Sequence, residues 1–197
     1  MREKDLSGSF LFAFKSRRDY NKIMYLVSLY FDEKTNKKIQ SYMECVAKCS
    51  GNSYMLDKKI PPHITLTAFE SRADVPCLVE ALDKVIPEQN PGLLQWVSVG
   101  AFFPKVLYLT PVLNEYLHSL SACVCAELAS CNDTEIQFCY RPFGWLPHTT
   151  IGKMLSEAEM RAAFEGMQKS FSPFEGMVVK VGLSKATPKE ELKSWIL

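Results

Sequence analysis

Hydrophobic and polar positions alternate between two periods along this chain. Residues 22–31, KIMYLVSLYF, are β-branched and aromatic and predict a strand. The period then lengthens: Ile39, Tyr42, Met43 and Val46 recur on one helical face, with Asp32 as start signal and Gly51-Asn52 as stop. After Pro61-Pro62 a strand is expected over 63–69. Leu78, Val79, Leu82 and Val85 mark a second helix from Asp74 to Ile86, ended by Pro87. Residues 93–110 read as two strands turning at Phe103-Pro104-Lys105. A third helix over 112–130 would turn Leu113, Tyr116, Leu117, Leu120 and Val124 inward. A short strand at 134–140 and an aromatic loop, 140-YRPFGWLP-147, lead to another strand at His148. Ser156 and Glu159 form a capping box for a fourth helix carrying Met160, Phe164 and Met167. Residues 175–186 and Trp195-Ile196-Leu197 close the chain as strands.

In each half a strand and a helix precede a histidine strand, and a helix and further strands follow. That order predicts an α+β fold of two similar lobes in a single domain over 21–197. Residues 1–20, with 10-FLFAF-14, Lys15, Arg17 and Arg18, read as an N-terminal extension; the apolar run is too short for a signal-peptide core or a membrane span. Net charge is +1, so no strong field draws the chain to a nucleic-acid backbone or an anionic membrane. The seven cysteines include no C-x-x-C pair, which points to reduced apolar side chains in the cytoplasm rather than to a disulfide frame or a zinc knuckle.

The chemistry is concentrated in 61-PPHITLTAFE-70 and 146-LPHTTIGKM-154. Strand alternation would put His63, Thr65 and Thr67 on one face and Ile64, Leu66 and Ala68 on the other. By the same rule His148 and Thr150 share a face, opposite Thr149 and Ile151. A lone histidine before a strand is usually structural. Here two of three histidines have threonine at +2, about a half-percent coincidence from composition. Two imidazoles can exchange protons near neutral pH, and the hydroxyls can donate to phosphoryl oxygens. This suits metal-free cleavage of a phosphodiester. The metal-ligand set is thin, with no H-x-x-x-H and no clustered carboxylates. G-x-S-x-G and a P-loop are both absent. His118, off the apolar stripe of its helix, reads as a surface residue.

Paired His-x-Thr strands, each preceded by proline and followed by an apolar residue, resemble the two-histidine (2H) phosphoesterases. The nearest likeness is to the bacterial 2′-5′ RNA ligase and cyclic phosphodiesterase branch. The hairpin 100-GAFFPKVLYL-109, the helix 112–130 and the approach 143-FGWLPHTTIGKM-154 extend the likeness across 22–197. It implies a bilobal, pseudo-duplicated fold, with two antiparallel sheets flanking a central groove and helices outside. It implies His63 and His148 as catalytic acid and base, Thr65 and Thr150 as phosphate binders, and no metal or other cofactor. Substrates in that family are 2′,3′-cyclic phosphates, 2′-5′ linkages, ADP-ribose cyclic phosphates and some cyclic dinucleotides, and some members join RNA ends.

Tyr140, Arg141, Phe143, Trp145, Phe103, Lys105 and Lys153 are candidate substrate contacts, aromatics for stacking a base and cations for a phosphate. Lys58 and Lys59 read as a solvated pair. The expected partner is a small nucleotide or single-stranded RNA, bound by a monomer without a membrane. The competing readings are a nucleotide or RNA-binding module with little catalysis, and 2′-5′ joining of RNA ends.

Overall fold

The computed structural model describes residues 22–197, so the expected N-terminal extension lies outside it. Eight strands form one antiparallel sheet: β1 Ile23–Phe31, β2 Ile64–Ser71, β3 Gly92–Phe102, β4 Val106–Pro111, β5 Thr134–Ile136, β6 Thr149–Lys153, β7 Phe174–Lys185 and β8 Glu190–Ile196. Five α-helices accompany it: α1 Glu33–Ser50, α2 Tyr54–Asp57, α3 Val75–Asp83, α4 Glu115–Ser130 and α5 Glu157–Ser170.

The two expected sheets meet in β7. Its first residues, Phe174–Val178, pair with β3, while Val178–Lys185 pair with β1 on one edge and, from Lys180, with β8 on the other. One lobe is thus β5-β2-β1 with the second half of β7 and β8. The other is β6-β4-β3 with the first half of β7.

The helices cross over between lobes. α1 follows a strand of the first lobe but packs with α5 against β6 of the second. α4 follows β4 of the second lobe but packs with α3 and against β2 of the first. Each apolar stripe finds its sheet across the molecule, and strand periodicity carries no information about that choice. In both lobes the helices cover the face opposite the histidines. Thr67 Oγ1 meets Cys125 Sγ of α4 at 3.7 Å, and a side chain at Gly152 would press on Val46 of α1.

Helix ends follow local chemistry. Asp32 accepts the Thr35 amide at 2.7 Å, Gly51 ends α1 at φ 77°, and Ser156 with Glu159 closes the capping box of α5. The third helix starts later than expected, because Asn114 takes the cap by accepting from the Leu117 amide at 3.0 Å. Leu113 therefore precedes the helix and is 47% exposed rather than inward. The second helix ends at Asp83, and α2 has too few residues to show a period. All seven cysteines are free thiols.

Replacing Asp32 with alanine is expected to lower stability by about 1 kcal/mol, and Asp32→Asn by much less, because asparagine caps nearly as well. Urea midpoints of the two variants measure this; equal losses would deny the cap its role.

Candidate active site

Each histidine sits one residue before its strand and is fixed in the same way. His63 Nδ1 bonds the Pro61 carbonyl at 2.8 Å, and His148 Nδ1 bonds the Leu146 carbonyl at 2.9 Å. A carbonyl only accepts, so Nδ1 carries the proton in both rings. In the neutral ring Nε2 is then left with its lone pair. The intervening prolines, Pro62 and Pro147, explain the local geometry. Each fixes its own φ and holds the residue before it extended, which presents that residue's carbonyl to the ring.

The strands share a second device. Val27 pairs with Thr67 and Ser28 with Thr65, so Leu66 is an extra residue in β2. Leu107 pairs with Gly152 and Tyr108 with Thr150, so Ile151 is an extra residue in β6. The irregularity falls immediately after the threonine of each motif and reverses the alternation there. Thr65 and Thr150 precede the slips, so the alternation from each histidine to its threonine is not reversed. Thr67, expected on the same face, turns to the helix side, where it is fully buried.

Aromatic rings hold the imidazoles. Phe102 meets His148 edge-on at 4.8 Å between centroids, and Tyr108 lies 5.4 Å from it. Tyr108 packs over Gly100, where a Cβ would come within 2.6 Å of the ring. In the first lobe Tyr30 lies 6.3 Å from His63 and packs over Gly182, where a Cβ would come within 2.9 Å. The two arrangements are related but offset. Ser28, not Tyr30, occupies the register position of Tyr108, opposite both the motif threonine and the glycine.

Both imidazoles are less basic than usual. Burial pushes His63 down to about 4, and the charges of Lys189, His148 and Lys153 act the same way against its bond to Pro61. Burial also lowers His148. The charge of His148 acting on His63 puts the two motifs within electrostatic reach. Lys153 is itself lowered, by burial and then by Lys189.

The other candidates divide. Tyr140 joins the site: burial pushes its phenol up to about 12, while a hydrogen bond with the Thr65 side chain acts oppositely. Trp145 is a strut, 8% exposed, donating its indole N–H to the Thr65 carbonyl at 3.2 Å and so tying the second approach to the first motif. That correction removes it as a stacking platform. Arg141 bonds the Ile136 carbonyl at 3.4 Å beside Ala122 and Ala126 of α4. Phe143 is 92% exposed and contacts His118 at 5.0 Å, giving that expected surface histidine a ring neighbour. Phe103 lines an apolar groove with Met160 and Phe164 of α5, and Lys105 is exposed in the hairpin turn. Among the described residues no ring contact or hydrogen bond joins these four to the imidazoles of His63 and His148. The ring at His148 is Phe102, one residue before the expected Phe103. Strand parity from Gly100 would have marked it, had the end of β3 been known. Among the described residues no three His, Cys, Asp or Glu side chains gather as a metal site.

A sequence model of the 2′-5′ RNA ligase superfamily matches residues 36–189, which span both motifs. The chain belongs to that superfamily. Two curated relatives, from Bacillus cereus strain B4264 and Bacillus mycoides strain KBAB4, carry the name putative phosphoesterase. Each is 35% identical over 111 residues, 51% of this chain and 56% of the relative. The chain thus matches only about half the length of these relatives. E. coli LigT complexed with 3′-AMP superposes with a TM-score of 0.61 at 15% identity, covering 89% of this chain and 98% of LigT. TT0787 of Thermus thermophilus gives 0.59 at 14%, covering 89% and 98%. At these identities the structures establish a shared α+β fold of the superfamily.

At pH 7 nitrogen-detected NMR is expected to find both His63 and His148 neutral, with the proton on Nδ1. His63 should titrate near 4 and His148 below its ordinary value. Protonation of either ring favours the unfolded chain, whose histidines titrate near 6.5. Stability is therefore complete above about pH 6.5 and declines as the pH falls toward about 4. Titration of both rings near 6.5 would contradict the burial.

Proposed function

We propose that the chain is a metal-independent phosphodiesterase that opens 2′,3′-cyclic phosphates or 2′-5′ linkages of a nucleotide or short RNA. The observation that carries this reading is the pair of imidazoles, each with Nδ1 held by a carbonyl and Nε2 left for proton transfer. Thr65 and Thr150, each two residues after its histidine and before the register slip of its strand, would donate to the phosphoryl oxygens. The nucleotides named with LigT (3′-AMP, ATP and NADP+) support a small nucleotide as ligand.

In this reaction one neutral imidazole takes a proton from water as the water oxygen bonds to phosphorus. The opposite ribose oxygen leaves with the P–O bonding electrons and receives a proton from the other, protonated imidazole. The ring that gave its proton ends neutral and the ring that took one ends charged, so transfer through solvent restores the pair. With a ribose hydroxyl in place of water as the attacking group, the same exchange joins two RNA ends.

Turnover requires one charged and one neutral ring. With both imidazoles less basic than usual, kcat/KM is expected to peak below pH 6.5 and to fall on the alkaline side with unit slope. In EDTA, the wild type should hydrolyse members of a panel of 2′,3′-cyclic nucleotides and 2′-5′ oligoadenylate. His63→Ala and His148→Ala should each lose about 10²–10⁴-fold. Full activity in either variant rules out the mechanism. Binding that survives both replacements, without turnover of any substrate, would make the chain a nucleotide-binding module instead.

A further inference from the structure

A cavity of about 600 Å³ opens beside the first histidine. Pro61, whose carbonyl holds His63, forms part of its wall, and so does Tyr30, which faces the same ring. The charged side chains lining it are Lys59, Lys180, Lys189 and Glu191, three cations against one carboxylate. That carboxylate is already engaged, since Lys180 pairs with Glu191 at 3.0 Å. Other lysines of the β7-β8 hairpin are matched as well, Lys185 by Glu190 at 3.1 Å and Lys193 by Asp83 at 2.8 Å. Neither Lys59 nor Lys189 forms a salt bridge among the described residues, and Glu191, whose charge acts on Lys189, is held by Lys180. Lys59 is also held at φ 49°, in the left-handed region that a lysine rarely adopts. The positive charge extends across the groove, because the charge of Lys189 acts on both His63 and Lys153. Tyr30 lies on Gly182 and carries the Lys180 ammonium 5.0 Å from its ring centre, so the cavity favours an anion over a stacked base.

We propose that this cavity is a second phosphate subsite, in which Lys59 and Lys189 receive a phosphoryl group that the substrate carries besides the one cut between the histidines. The proposal rests on the paired-histidine reading and narrows its substrate class. The ligand is a nucleotide with two separate phosphates, such as a 5′-phosphorylated nucleoside 2′,3′-cyclic phosphate or a 5′-phosphorylated 2′-5′ dinucleotide.

Calorimetry in EDTA tests this without requiring turnover. Adenosine 3′,5′-bisphosphate is expected to bind the wild type about tenfold more tightly than either 3′-AMP or 5′-AMP, which two exposed charge contacts together supply. The ratio should fall toward one in the Lys59→Ala/Lys189→Ala double variant. It should rise in Glu191→Gln and persist in Lys185→Ala, which removes a cation of the same hairpin that already has a partner. A wild-type ratio near one, or a ratio that survives the double replacement, overturns the subsite. Inorganic phosphate binding as tightly as the bisphosphate would assign the cavity to a free anion and overturn it too. A chain with the expected ratio but no hydrolysis keeps the subsite and loses the phosphodiesterase reading. Hydrolysis of cyclic phosphates with a ratio near one loses the subsite alone.

Discussion

The molecule depends on β7 being hydrogen-bonded to different partners along its length. Its first residues complete the β6-β4-β3 ladder, and its later residues complete β5-β2-β1 and receive β8. Each ladder alone presents one histidine, and an imidazole alone can only give or take a proton. The shared strand brings both into one electrostatic environment, where the charge of His148 acts on His63. A flexible linker would leave their separation to chance, whereas a shared ladder fixes it through backbone hydrogen bonds.

The same economy recurs at each histidine. A proline holds the preceding residue extended, its carbonyl binds Nδ1, and an extra strand residue after the threonine turns the chain back into the core. The next alternate position after each threonine, Thr67 or Gly152, serves the packing of a helix from the other half of the chain. Site and core are therefore coupled over two residues. The Trp145–Thr65 hydrogen bond extends that coupling between the motifs.

Much of this was legible in the order of residues. Helix caps at Asp32 and Ser156 and the strands that follow both histidines depend on local geometry, and local geometry is written locally. The failures have a common cause. Thr67 was misplaced because alternation assumes an unbroken ladder, and the slip at Leu66 requires knowing the partner strand. Phe103 stands at the expected turn, and the turn does not announce that Phe102 ends β3 and reaches His148. Trp145 and Arg141 were grouped with the histidine by nearness in sequence, while the chain folds one into the core and the other against α4. Lys189, far along the chain from either motif, had no sequence signal to link it to His63.

The sequence by itself determined most of the strands and the longer helices, the two His-x-Thr runs and the proline before each histidine, because each is written within a few residues. Only the tertiary structure decided that the sheets share a strand, that α1 and α4 exchange lobes, which aromatic rings reach the imidazoles and which lysines form no salt bridge. Those outcomes are set by pairing and burial between distant segments, and no local period encodes which distant surface a given face will meet.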